Sequence, residues 1–206
     1  MSDLAPAVIA TTADVADPEA LGAGTLVWHL AQIREGASVG EQCVIGRGAY
    51  VGPGVVMGDR RKLQNYALMY EPAVLEDGVF VGLAAVFTND LYPRAVNADG
   101  RLKDSDDWHA VGVVAREGSS IGARAVCIAP VTIGRWATVA AGSVVTRDVP
   151  DFALVASSPA RRLRWVGRAG VPLELLDDST HSKHWRCPQT GSTFTEHDGV
   201  LTEDDT

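Results

Sequence analysis

An apolar side chain returns at every sixth residue from Ile33 to Phe87 and again from Ala115 to Val145. The series runs Ile33, Val39, Ile45, Val51, Met57, Leu63, Met69, Leu75, Val81 and Phe87, then Ala115, Ile121, Cys127, Ile133, Val139 and Val145. Four residues after each opener comes a second inward candidate, which is Ala, Ser, Cys or Val in fourteen of the sixteen hexads, the exceptions being Arg61 and Leu91. An amphipathic helix repeats near 3.6 residues and a half-buried strand near 2, so a period of six calls for a chain that turns a corner in each hexad and stacks coil on coil. The expected fold is all-β, a parallel β-helix. Gly follows the opener at Val39, Ile45, Val51, Met57, Val81, Ile121 and Ile133, where a corner favours a residue with no Cβ to clash.

This hexad pattern, a large aliphatic residue, then Gly, with a small residue in fifth place, resembles that of the left-handed β-helix acyltransferases over roughly residues 21–160. The resemblance implies left-handed winding and three hexads to a coil. Residues 18 apart then lie above one another, separated by roughly 4.8 Å.

The phase sets the expected boundaries: a lead-in over residues 1–20, the β-helix over 21–157, a capping helix over 158–170 and a polar, acidic tail over 171–206. Between Phe87 and Ala115 the phase breaks, and the polar stretch 93–114 reads as an insertion loop leaving the helix. Ser158 as N-cap with Pro159 in the first turn, followed by Ala160-Arg-Arg-Leu-Arg-Trp165, predicts the short C-terminal helix. The last dozen residues carry no expected structure. A formal charge of −8 disfavours nucleic acid and anionic membranes as partners. The first twenty residues lack the basic and long apolar segments of a signal peptide, and no apolar run is long enough to span a bilayer. Cys43 and Cys127 fall at inward positions and Cys187 in the tail, as expected of reduced thiols in a cytoplasmic protein.

The strings Lys62-Leu-Gln-Asn65, Met69-Tyr-Glu-Pro72 and Phe87-Thr-Asn-Asp-Leu-Tyr-Pro-Arg94 resemble those of nucleotide-sugar 3-N-acetyltransferases. That resemblance implies Asn89 against the sugar amine, with Arg94, Asn65 and Tyr70 on the substrate side. The spacing adds that Asn89 and Glu71 are each third in their hexads and 18 apart, one coil above the other. An amine acceptor needs positioning on the thioester carbon more than a powerful base, so Asn89 can hold the nitrogen while Glu71 takes the proton or steers Asn89. The hexads from Cys127 to Val144 match the same acyltransferases' coenzyme A groove. On that likeness Ala141 and Gly142 would face the pantetheine, and Arg161, Arg162 and Arg164 the adenine and its phosphate. The resemblance also implies acetyl-CoA as co-substrate and a homotrimer with its sites between subunits.

Other readings remain. His109, closing the insertion, could serve as base for an O-acetyltransferase. The hexads specify fold and not function, so a non-catalytic binding subunit is also open. A β-helix carbonic anhydrase would need three His ligands, and the coils contain only His29. His181, His184 and Cys187 have ligand-like spacing but no clear fourth partner, so no metal is expected. Trp136 points outward in its hexad, as an interface or nucleotide-stacking residue. Arg61 breaks the small-residue rule at an inward position, where an unpaired charge is costly; it should either bulge out or be drawn out by Asp59 or a ligand.

Overall fold

In the computed structural model, which describes residues 4–179 and 182–204, the chain winds as a parallel β-helix built from two- to four-residue strands on three faces. The first face stacks Val8–Ile9, Leu26–Val27, Val44–Ile45, Lys62–Leu63, Phe80–Val81, Ser120–Ile121, Thr138–Val139 and Ala153–Ala156. The second runs from Asp14–Val15 to Val144–Val145 and the third from Ser38–Val39 to Val131–Ile133. Pairing partners are 18 residues apart, as in Leu26 with Val44 and Leu68 with Val86. The expected stacking is therefore the observed register. All sixteen openers are buried, and so are the small residues four places on, whereas Leu91 is exposed.

Glycine in second place of the hexad has a packing cause. A Cβ on Gly46 would lie 2.6 Å from the backbone nitrogen of Asn65 in the next coil, closer than side-chain carbons approach backbone.

Across the insertion the pairing offset rises from 18 to 40: Val74 pairs Val114, Phe80 pairs Ser120 and Val86 pairs Val126. The 22 extra residues match the length expected for the insertion. It leaves after Val86–Phe87 on the second face and rejoins at Val113–Ala115 on the third, so it springs from the corner between them. Within it, Val96 bridges Leu102, Asp104 caps a single 3-10 turn over Ser105–Asp107, and Arg101 pairs with both Asp104 and Asp107.

Three expectations need correction. The helix begins earlier than residue 21, because Val8–Ile9 and Asp14–Val15 already pair with the coil above. Residues 158–170 form no helix: Arg161–Trp165 is a strand, antiparallel to Ala153–Ala156. The last coil ends in an open strand edge whose backbone groups need partners, and the chain doubles back to supply them, which overrides the local capping signal. Trp165, 2% exposed, closes the stack in place of the expected helix. The tail is also ordered over Glu174–Asp178, Lys183–Arg186, Thr193–His197 and Val200–Glu203, a four-stranded antiparallel meander. Its small core contains Cys187, Phe194 and Leu201, and Phe194 packs edge-on against Phe152 with ring centroids 5.2 Å apart. Three buried apolar side chains over that span were too sparse a pattern to announce strands.

Arg61 neither bulges nor escapes. It is 1% exposed, and its Nη2 donates to Asp77 Oδ1 at 3.2 Å.

Candidate functional site

The corner between the second and third faces collects the catalytic candidates. Met69 pairs Phe87, so continuation of that register by two residues brings Glu71 and Asn89 to the same corner, one coil apart. Asn89 holds the return of the insertion: its carbonyl accepts the backbone N–H of Val111 at 3.0 Å. Beside it, Thr88 Oγ1 accepts the N–H of Ala129 from the coil above. Among the described residues the Asn89 side chain has no hydrogen-bond partner, and it is only half-buried. It is therefore open to a ligand.

Glu71 is placed less simply. Its Oε2 is buried and has no partner, and it lies across Gly52 in the coil below, where a Cβ would come within 2.5 Å of it. Register unites Glu71 and Asn89, but no hydrogen bond joins them in the described structure. Tyr70 sits beside Glu71 and leans on Tyr50, with ring centroids 5.0 Å apart. Burial, with Glu71 adding to it, raises the Tyr50 phenol above its ordinary pKa. His109 is exposed, two residues before Val111, so the insertion carries it back to the same corner. Arg94 is exposed at the other end of the insertion and folds onto its own chain, Nη1 donating to the Pro93 carbonyl at 2.7 Å.

The other candidates lie elsewhere. Asn65 follows Lys62–Leu63 on the first face and so occupies the corner between the first and second faces. Its Oδ1 accepts the Arg47 backbone N–H at 3.0 Å. Ala141 and Gly142 share that corner higher up, both exposed. The Gly142 N–H is already given to the Ala123 carbonyl at 2.9 Å. A pantetheine there would meet a flat, small-residue surface, without that amide as donor.

Arg161, Arg162 and Arg164 lie on the closing strand, beside the last strand of the first face, and are exposed. Arg162 stacks its guanidinium 4.0 Å from the Trp165 ring centroid and lies 3.9 Å from Glu196, while Arg161 Nη1 donates to the Ala160 carbonyl. One protomer thus places Glu71 and Asn89 on one corner and Ala141 and Gly142 on the adjacent one, which Asn65 shares.

Two further hollows were not foreseen. One, of about 330 Å³, lies on the first corner between Trp28 and Gln64, across Gly46. Its signal was in the sequence as a ladder of Trp28, Gly46 and Gln64 spaced by 18, a glycine between two large neighbours. The other, of about 780 Å³, separates the last coils from the C-terminal sheet. There Trp136 lies on Gly118, and Arg168, tied to Glu203 at 2.7 Å, covers the indole 5.1 Å away. Trp136 therefore packs within its own chain. His181 lies outside the described residues, and among those described no three His, Cys, Asp or Glu side chains cluster as metal ligands. No helix among them is long and apolar enough to cross a membrane.

Fold and repeat together define a hexapeptide-repeat parallel β-helix protein. The sequence family described as the hexapeptide repeat of succinyl-transferase matches residues 36–65 and 117–147. A dTDP-3-amino-3,6-dideoxy-alpha-D-galactopyranose 3-N-acetyltransferase from Aneurinibacillus thermoaerophilus is 37% identical over 90 residues, 44% of each chain. A bifunctional protein GlmU from Nitratidesulfovibrio vulgaris is 34% identical over 121 residues, 58% of this chain and 27% of that one. The chain thus spans less than half the length of these curated relatives. A hexapeptide-repeat acetyltransferase from Vibrio cholerae, solved with acetyl-coenzyme A, superposes with a TM-score of 0.51 at 26% identity, covering 64% of this chain and 71% of that one.

Proposed function

We propose that the protein is a cytoplasmic, homotrimeric N-acyltransferase that moves an acyl group, acetyl in the simplest case, from coenzyme A to the amine of a nucleotide-linked amino sugar. The observation that carries this reading is Asn89, with an unpartnered side chain on the corner where the insertion departs and returns, one coil above Glu71. The similarity to a dTDP-amino-sugar N-acetyltransferase supports the acceptor class. The likeness to a structure holding acetyl-coenzyme A supports the donor.

In this reading the Asn89 side-chain oxygen accepts a hydrogen bond from the sugar amine and aims its lone pair at the thioester carbon. The C–N bond forms, the C–S bond breaks and the thiolate leaves, while the proton shed by nitrogen passes to Glu71 or solvent and then to the thiolate. Arg161, Arg162 and Arg164 offer planar donors to the phosphates of coenzyme A. Asn89 and Glu71 occupy a different corner from Ala141 and Gly142, which is compatible with a site shared between two copies, as in the trimer that the resemblance implies.

The test is thiol release from acetyl-CoA with UDP- and dTDP-linked 3- and 4-amino sugars, using the hydroxyl parents as controls. Release with an amino sugar alone supports the reading. Release with the hydroxyl compounds favours the second reading, O-acylation with His109 as base, which its return to the Asn89 corner keeps in play.

A further inference from the structure

We infer that Glu196, on the C-terminal sheet, competes with coenzyme A for the Arg162 guanidinium and so sets how tightly the donor is held. This rests on the acyl-transfer reading, in which the phosphates of coenzyme A meet Arg161, Arg162 and Arg164.

Three guanidiniums within four residues make a strong anion site when all three are free. These three are not alike. Arg164 is exposed, and its side chain makes no hydrogen bond or ion pair among the described residues. Arg161 is exposed and gives only Nη1, to the Ala160 carbonyl at 2.8 Å. Arg162 has its guanidinium 4.0 Å from the Trp165 ring centroid and its Nη1 3.9 Å from Glu196 Oε1. Among the described residues it is the one member of the trio that already faces a carboxylate.

Glu196 is held in that place from behind. It belongs to Thr193–His197, the strand whose Phe194 packs on Phe152 beside the last strand of the first face. Trp185, on the adjoining strand Lys183–Arg186, donates its indole N–H to Glu196 Oε2 at 3.0 Å. The Glu196 side chain is 12% exposed, against 40% for Arg162. One neutral donor does not balance a carboxylate so far out of water, and the charge of Arg162 supplies the rest. At 3.9 Å the contact is one of charge and not a hydrogen bond, so a phosphate that hydrogen-bonds Arg162 can displace it.

A phosphate arriving at Arg162 therefore meets a cation that already has an anion. It must separate Arg162 from Glu196, leaving that carboxylate with the indole alone, and it is repelled by the fixed negative charge beside it. The donor is held less tightly than three uncommitted arginines would hold it, and the C-terminal sheet is the cause.

The experiment is calorimetric titration of the full chain with CoA, for wild type, Glu196→Gln, Arg162→Ala and the double variant, with thermal melting to show that each is folded. Gln keeps an acceptor oxygen for Trp185 and removes only the charge. Glu196→Gln should bind CoA about fivefold more tightly at low ionic strength, with the gain shrinking in salt. Arg162→Ala should weaken CoA more in the Glu196→Gln background than in wild type, because only there is Arg162 uncommitted before CoA arrives. Unchanged or weaker CoA binding by Glu196→Gln would overturn the inference and leave CoA standing as donor. An equal cost of Arg162→Ala in both backgrounds would also overturn it, since Glu196 would then act by distant repulsion alone. Failure of wild type to bind CoA at all would remove the donor reading and the inference together.

Discussion

Arg61, from an inward position of the coil, reaches Asp77 at 3.2 Å while two of its nitrogens, Nε and Nη1, remain buried without partners. The guanidinium lies under Gly58, where any Cβ would collide with it. Asp77 Oδ1 also accepts the Asp59 backbone N–H at 2.9 Å; that bond first, and the charges of Arg61 and Arg60 after it, hold its carboxyl below the ordinary range. Burial pulls the Arg61 pKa down.

Asp77→Ala should destabilise the protein by about 1–3 kcal/mol, because it strands a buried cation. Arg61→Met, which removes the cation itself, should be neutral or stabilising. Urea unfolding at one fixed protein concentration compares them. Equal midpoints for Asp77→Ala and wild type would show that Asp77 is not what satisfies Arg61.

Asn89→Ala should lower kcat on the order of 100-fold with CoA affinity unchanged, and Glu71→Gln should have the smaller effect. Steady-state kinetics with an amino-sugar acceptor, paired with CoA titration, reads both. A wild-type rate in Asn89→Ala together with loss in His109→Ala would transfer the role to the histidine.

The insertion should loosen in acid. Arg101, 2.7 Å from Asp107, and the Asp104 N–H at 3.0 Å lower the Asp107 carboxyl from an ordinary 3.8 to about 2. The depressed value means that the contact stabilises the loop fully above 3.8 and is lost as the pH falls toward 2. Hydrogen-exchange protection factors for residues 97–107 should fall across that window, and Arg101→Ala should abolish most of the change. An identical profile in the variant would refute the assignment.

The three cysteines are buried, and burial pushes the Cys127 thiol up to about 12. Native protein should therefore react negligibly with an aromatic disulfide reagent near pH 8, and unfolded protein should titrate three thiols. Rapid labelling of the native chain would mean that one of these sites opens.

Correspondence between sequence and structure follows the range of the forces involved. The sixfold recurrence of apolar openers foretold the stacked coils, because burial of the opener and of the small residue four places on is a local demand repeated in each hexad. Counting across the phase break foretold an insertion of 22 residues, and the 18-residue spacing put Glu71 beneath Asn89. Ser158-Pro159 misled because its helix signal is local, whereas the unpaired edge of Ala153–Ala156 is a property of the finished stack. The C-terminal sheet was illegible for a related reason: its few apolar residues find one another only by antiparallel pairing.

By itself the sequence determined the repeating coil, the corner at which the insertion breaks out and the residue types carried there, since all three follow from periodicity. Only the tertiary structure decided that Asn65 and Asn89 stand on different corners, that Glu71 turns away across Gly52, and that Arg61 finds Asp77 sixteen residues on. Those outcomes depend on where the face of a coil ends and which way a side chain leaves it, and a pattern of spacings contains neither.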